Sequence, residues 1–129
     1  MVSFTKKGKI LSAVKSANVF KVKDLLVKGA DPNTKDIVDR PVLLFAIARD
    51  SLAIIELLLE AGADPDSGYD SNAGLHMANS IATMEVLLNA GANPNLRNNA
   101  GQTPIMIHAS EGNTKAVELL IAHGAVGSR

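Results

Sequence analysis

The chain contains no cysteine and no tryptophan among its 129 residues, and only 3% of them are aromatic. Without cysteine, disulfide bonds, thiolate catalysis and cysteine-ligated zinc are all excluded. No run of apolar residues approaches the roughly 18 that a membrane-spanning helix needs. The amino-terminal segment lacks an apolar stretch that ends in a small-residue cleavage site, so it does not have the pattern of a signal peptide. These absences favour a cytoplasmic protein of one domain that makes no membrane contact.

Motifs for catalysis, cofactors and nucleic acids are also missing from the sequence. It contains no phosphate loop, no dinucleotide fingerprint and no nucleophile elbow. The acidic stretch at 64–70 superficially resembles a calcium loop, but Tyr69 stands where that loop needs a glycine. The amino-terminal lysines have no interleaved aromatic residues for base stacking, and arginine is scarce. We therefore expect no catalytic residues, no metal, no cofactor and no nucleic-acid partner.

Charge is unevenly distributed along the chain, although the formal net charge is zero. Residues 1–28 carry seven lysines and one acidic residue, for a net charge of +6. Residues 29–90 carry a net charge of −7, and residues 91–129 a net charge of +1. Two interpretations remain open. The charges either solvate helix surfaces or form a bipolar surface that steers a charged partner.

Glycine-alanine pairs recur along the chain at spacings of 33, 29 and 33 residues. The four pairs are Gly29-Ala30, Gly62-Ala63, Gly91-Ala92 and Gly124-Ala125. Apolar residues stand three, four and seven positions before each glycine, which is the spacing of one face of an amphipathic helix. Eleven positions before each glycine stands an asparagine or serine that can cap the helix start, and the glycine can end the helix. The pattern predicts four helices, over 19–28, 52–61, 81–90 and 114–123.

A shorter helix precedes each of these, and its clearest start is Thr103-Pro104, with threonine as cap and proline at the first helical position. Gly101-Gln102-Thr103-Pro104-Ile105, followed by Val117-Glu118-Leu119-Leu120 and Gly124-Ala125, closely resembles the ankyrin repeat. The resemblance implies an all-α solenoid of stacked helix-turn-helix units with short connecting loops and β-turns. It implies a single ankyrin-repeat domain over 1–129, with repeats at about 5–33, 34–66, 67–95 and 96–126.

The third repeat departs from the family length. Relative to the neighbouring repeats, it lacks three residues between Leu75 and Gly91 and one between Gly62 and Leu75. Because a helical turn takes 3.6 residues, its first helix is predicted to be about one turn shorter. The deletion is either tolerated in a degenerate repeat or forms a notch in a binding surface. His76 matches the family position whose side chain braces the repeat by hydrogen bonds, so the resemblance implies a structural role for it.

In the ankyrin family, partners commonly bind the loop tips and the exposed side of the shorter helices, which together form the concave face. Mapping that face onto this sequence predicts a partner-binding surface centred near Tyr69, made of Lys35, Ile37, Val38, Arg40, Arg49, Tyr69, Asp70, Arg97, Asn99, Gln102 and Glu111. Tyrosine and arginine are favoured at such sites because they combine rigid area with several donors. We expect a monomeric, non-catalytic module that binds another protein. Two alternatives stay open: an immunity-type or inhibitory protein that neutralises a toxin or enzyme and, less favoured, an enzyme.

Overall fold

The computed structural model describes residues 5–126, and within them the chain forms eight helices and one short β-hairpin. The helices are α1 Lys6–Lys15, α2 Val19–Val27, α3 Val42–Ala48, α4 Leu52–Glu60, α5 Gly74–Met77, α6 Ile81–Asn89, α7 Pro104–Ser110 and α8 Thr114–Ala122. The hairpin consists of β1 Gly68–Tyr69 and β2 Asn72–Ala73, which pair antiparallel and lead directly into α5.

The helices form four sequential pairs that stack in two layers. The first helices of the pairs, α1, α3, α5 and α7, pack side by side in an inner layer. The second helices, α2, α4, α6 and α8, pack side by side in an outer layer. This arrangement confirms the predicted all-α solenoid. No helix in the described part of the chain combines the length and apolar character that crossing a membrane requires.

The outer helices lie where the repeat predicts, each ending one residue earlier than expected. Asn18, Ser80 and Asn113 each accept a hydrogen bond from a backbone N–H of the first turn at 3.1–3.2 Å, as cap residues do. Two other predicted residues occupy the cap position, but their side chains do not make this bond. Ser51 stands before α4 and Thr103 before α7, and the Thr103 hydroxyl is buried without a hydrogen-bond partner.

The hydrophobic core lies between the two layers and runs along the whole stack. Each repeat contributes one buried aliphatic side chain from an equivalent place in each layer: Leu25, Leu58, Leu87 and Leu120 from the outer helices, and Ile10, Leu43, Leu75 and Ile105 from the inner ones. Burying one such side chain fully stabilises the fold by about 1.5–3 kcal/mol. Because neighbouring repeats share this core, stability depends on the stack and not on any single repeat.

Asparagine side chains in the loops tie the first repeat to the second and the third repeat to the fourth. The Oδ1 of Asn33 accepts a hydrogen bond from the backbone N–H of Asp64 at 2.7 Å, and its Nδ2 donates to the carbonyl of Gly62 at 3.2 Å. Asn95 makes the same two kinds of bond to the loop that follows α8. These bonds satisfy backbone groups that a turn would otherwise leave free, and they fix the spacing between neighbouring loops.

The first helix of the third pair is short, as the sequence predicts. The helix α5 has four residues, whereas α3 and α7 have seven each. The turn that precedes α4 contacts the start of α6. The Oδ1 of Asp50 in that turn accepts hydrogen bonds from the hydroxyls of Ser80 at 2.8 Å and Thr83 at 2.6 Å. The start of α6 is thereby attached to the preceding repeat.

His76 of α5 connects the third repeat to the fourth. Its Nδ1 accepts a hydrogen bond from the backbone N–H of Ala73 at 3.0 Å, and its Nε2 lies 2.9 Å from the carbonyl oxygen of Gln102. Since Nδ1 is the acceptor, Nε2 carries the proton and donates to that carbonyl. The predicted structural role of His76 is confirmed. No group of three or more His, Asp or Glu side chains within residues 5–126 is arranged to hold a metal ion.

Candidate functional site

A cavity of about 370 Å³ opens between the second and third repeats, beside the shortened helix α5. We call it the inner cavity, and its lining consists of Arg40, Leu44, Phe45, Ala48, Tyr69, Asp70, Asn72 and Met77. Leu44 is buried and Phe45 half-buried, whereas Met77 and Tyr69 are 38% and 42% exposed. Ala48 lies in the last turn of α3, the turn that has no counterpart in α5. The cavity therefore occupies the level at which the third repeat is short.

The hairpin before α5 holds Tyr69 at the edge of the inner cavity. Tyr69 pairs with Asn72 across the hairpin, and the turn between them consists of Asp70 and Ser71, with φ of 51° and 65°. Positive φ at both central residues is the pattern of a type I′ turn, whose twist matches that of a hairpin. Gly68 has no substitute here, because a Cβ at this position would collide with the backbone of Asn72. The position of Tyr69 is thus set by the backbone.

Arg40 is held in place by a buried carboxylate in its own loop. Its Nε donates to Oδ2 of Asp36 at 2.7 Å, and the Oδ1 of Asp36 accepts from the backbone N–H groups of Val38 at 3.0 Å and Arg40 at 2.9 Å. Burial alone would raise the pKa of Asp36, but these hydrogen bonds and the positive charge of Arg40 outweigh it and lower the pKa below its usual value. Arg40 is therefore both a lining residue and a structural part of the loop.

Two cationic side chains contact the ring of Phe45. The Nζ of Lys15 lies 4.8 Å from the ring centroid, and the guanidinium carbon of Arg40 lies 5.2 Å from it. Both distances lie within the range of cation–π interactions. Lys15 is the last residue of α1, so its contact with Phe45 also joins the first repeat to the second. Two positive charges therefore lie against the ring of Phe45, and one of them, Arg40, also lines the inner cavity.

Three of the predicted contact residues, Arg40, Tyr69 and Asp70, line the inner cavity. Arg97 joins Tyr69 and Asp70 around a neighbouring hollow of about 290 Å³. Its Nη1 donates to the carbonyl of Gly101 at 2.7 Å, which fixes the side chain against its own loop. The structure therefore places three other predicted residues, Arg40, Asp70 and Arg97, in the two hollows that Tyr69 lines.

The other predicted contact residues lie outside the inner cavity, and all of them are exposed: Lys35, Ile37, Val38, Arg49, Asn99, Gln102 and Glu111. Ile37 is fully exposed and Val38 is 48% exposed at the tip of the loop before α3. Lys35 borders a different hollow, on the side of the first repeat. The backbone N–H of Asn99 donates to the hydroxyl of Ser71 at 2.8 Å, so this loop tip packs against the hairpin.

Sequence reasoning missed Leu44, Phe45 and Met77, which line the inner cavity. All three are apolar residues of helices, and apolar periodicity assigns such residues to the core. The position of Phe45 and Met77 within the repeat does indicate that they face away from the core. Phe45 and Met77 each stand two positions after a buried leucine, Leu43 or Leu75, and two positions in a helix are about 200° apart. They must therefore point away from the core that the leucines form.

Acidic side chains of the middle segment lie partly on the outer layer. Glu56 and Glu60 of α4 border an outer groove of about 360 Å³ between α4 and α6, and Glu85 of α6 is exposed as well. The lining of the inner cavity has one acidic residue, Asp70, and one basic residue, Arg40. The net charge of a chain segment therefore does not describe the charge at the inner cavity.

Comparison with known proteins adds a family match and a partial relative. A family model described as ankyrin repeats, in three copies, matches residues 10–98 and, in a second match, residues 75–129. A human protein named mitochondrial disaggregase is 35% identical over 65 residues. That segment amounts to 50% of this chain and 9% of the human protein. The chain thus matches a small part of that protein's length.

Proposed function

This chain belongs to the ankyrin-repeat family, and from that premise we propose that it is a non-catalytic module that binds another protein at the inner cavity. The observation that carries the proposal is the cavity itself. Leu44, Phe45 and Met77 provide an apolar surface, Tyr69 stands at its edge, and Arg40 and Asp70 supply charge of both signs. An apolar centre with a polar surround is the common anatomy of a protein interface.

The size and exposure of the lining support this proposal. A volume of about 370 Å³ lies near the lower end of ligand pockets, so it suits one or two large side chains of a partner. Tyr69 and Met77 are both partly exposed within it, and clustered exposure of apolar side chains is typical of an interaction site. Tyrosine in particular often contributes strongly to binding at the centre of an interface.

The lining also explains why we propose binding and not catalysis. It contains no serine, threonine or cysteine that could act as a nucleophile, and no histidine that could act as its general base. Arg40 is already engaged with Asp36. An inhibitory or immunity-type role is a narrower form of the same proposal, in which a single partner binds tightly and loses its own activity.

Site-specific photo-crosslinking in the native host tests the proposal. A photoreactive residue at Met77, in the inner cavity, is compared with one at Glu56, in the outer groove. We expect a crosslinked partner from Met77 and none from Glu56. Excess unlabelled wild-type protein should suppress the crosslink, whereas excess Tyr69→Ala should not. A partner crosslinked from Glu56 alone, or equal suppression by both competitors, would place the interaction elsewhere.

A further inference from the structure

We infer that the inner cavity accepts an apolar side chain from a partner segment that also carries an acidic residue, whose carboxylate lies toward Lys15 and Arg40. The inference rests on the proposed function and names the chemistry of the segment that occupies the same cavity. It predicts a short sequence feature in the partner, an apolar or aromatic anchor with an aspartate or glutamate close to it in the chain.

Unused hydrogen-bond donors surround the ring of Phe45. The ammonium group of Lys15 lies 4.8 Å from the ring centroid, and it forms no ion pair with any residue in the range 5–126. The guanidinium of Arg40 is bonded to Asp36 through Nε, which leaves the donors of its two terminal nitrogens. Lysine has three donors and arginine five, and neither has an acceptor. A carboxylate is the group that these donors match best.

The opposite wall of the inner cavity determines where that carboxylate lies. Asp70, in the turn of the hairpin, is an exposed acidic residue of the lining, and it repels a second carboxylate on its own side. The two cations that contact Phe45 therefore favour an acidic group at that wall of the cavity, away from Asp70.

The apolar part of the lining accommodates the anchor. Leu44 is only 6% exposed and is the most buried residue of the lining, while Met77 and Tyr69 are partly exposed. Methionine has three rotatable bonds and a polarisable sulfur, so it adapts to side chains of different shape. The apolar lining therefore favours an apolar side chain of the partner without selecting one residue type. The cations beside Phe45 favour an acidic residue close to it.

Peptide selection provides the test. A random peptide display library is panned on the immobilised full chain and counter-selected on Tyr69→Ala. We expect enriched peptides to contain an aspartate or glutamate within a few residues of an apolar anchor. In a synthetic copy of an enriched peptide, changing that acid to its amide should weaken binding to the wild type about 5-fold, as measured by fluorescence anisotropy.

A double-mutant comparison then assigns the carboxylate to its site. Lys15→Met retains an unbranched side chain over Phe45 but removes the charge, so the same acid-to-amide change should weaken binding to this variant less than about 2-fold. Lys23→Met, on the outer helix α2, is the matched control and should retain the full wild-type effect. Lys23 is exposed, as Lys15 is, and belongs to the same repeat.

The possible outcomes separate this inference from the proposed function. Peptides that require Tyr69 but show no preference for an acid, or show a preference for lysine and arginine, overturn the inference and leave the site in place. An acid-to-amide effect of equal size in the wild type and in Lys15→Met also overturns it. Peptides that bind Tyr69→Ala as well as the wild type overturn the proposed site itself.

Discussion

The Nε2 atom of His108 in α7 lies 3.0 Å from the carbonyl oxygen of Leu75 in α5. In a longer helix that carbonyl would accept a hydrogen bond from the backbone N–H four residues later. The helix α5 ends at Met77, so His108 donates in its place. His108 is only 3% exposed. A side chain of the fourth repeat thus caps the shortened helix of the third and stabilises the wall of the inner cavity.

Replacing His108 with alanine should therefore destabilise the protein. The change leaves a buried carbonyl without a donor, which costs about 1–3 kcal/mol, and it also removes a packed side chain. Urea denaturation followed by circular dichroism measures the loss. His123→Ala, at an exposed position after α8, is the control and should leave the unfolding free energy nearly unchanged. Equal stability of the two variants would contradict the capping role.

Some features of the fold are encoded within one helix, whereas others depend on contacts between repeats. The four outer helices could be placed from the sequence because caps, apolar spacing and terminal glycines all lie within one helix. The bond between His108 and Leu75 joins residues 33 apart, and no local pattern marks it. Tyr69 could be placed at a loop tip, but the exposure of Phe45 and Met77 depends on where α5 ends and on how neighbouring repeats pack.

Truncation of the shared core tests the repeat architecture. Leu58 and Leu87 are fully buried at equivalent places in α4 and α6. Changing either one to alanine should lower the unfolding free energy by about 2–5 kcal/mol, because a cavity remains where the side chain packed. Urea titration measures the effect. Val27→Ala, at a position that is 79% exposed, should cost little, and a similar loss in all three variants would argue against a core between the layers.

A stabilising change is expected in the loop after the second repeat. Asp66 accepts a hydrogen bond from the backbone N–H of Asn93 at 2.7 Å, as Asn33 does from Asp64. An ionised carboxylate has no hydrogen to donate. Asp66 therefore cannot bond to the carbonyl of Gly91 in the way that Asn33 bonds to the carbonyl of Gly62. Asp66→Asn supplies that donor and should raise the unfolding free energy by about 0.5–1.5 kcal/mol.

The reciprocal variant Asn33→Asp is the control for this prediction. It removes the donor to Gly62 and should lower stability by a similar amount, about 0.5–1.5 kcal/mol. Thermal and urea denaturation at neutral pH measure both changes. If Asp66→Asn and Asn33→Asp shift stability in the same direction, the donated bond is not the cause of the shift.

The buried carboxylate of Asp36 should make stability depend on pH in the acidic range. Its pKa in the folded state is lowered, because hydrogen bonds to Arg40 and Val38 outweigh burial. A lowered folded-state pKa contributes stability above the unfolded-state pKa, and that contribution is lost as the pH falls through the folded-state value. The unfolding free energy should therefore decrease between about pH 5 and pH 2 more steeply in the wild type than in Asp36→Asn.

Arg40→Met should give an intermediate pH dependence, because the two backbone hydrogen bonds to Asp36 remain when the guanidinium is removed. Urea titrations at a series of pH values measure all three proteins. If the unfolding free energy of Asp36→Asn falls with pH as steeply as that of the wild type, other carboxyl groups account for the acid sensitivity.

Substitutions at the inner cavity should affect binding and stability differently. Tyr69 is 42% exposed and lies at the edge of the inner cavity. Tyr69→Ala should weaken partner binding by on the order of 1–2 kcal/mol and leave the melting temperature nearly unchanged. Arg40→Ala should weaken binding by a similar amount, but it should also lower the melting temperature, because the buried carboxylate of Asp36 loses its ion pair.

Glu56→Ala is the control on the outer layer, since Glu56 is exposed and borders the outer groove. It should change neither the affinity nor the melting temperature. Isothermal titration calorimetry with the crosslinked partner, once it is identified, measures affinity, and a thermal scan measures stability. If Glu56→Ala abolishes binding while Tyr69→Ala does not, the partner contacts the outer helices. The inner cavity would then be a consequence of the shortened third repeat and not a site of recognition.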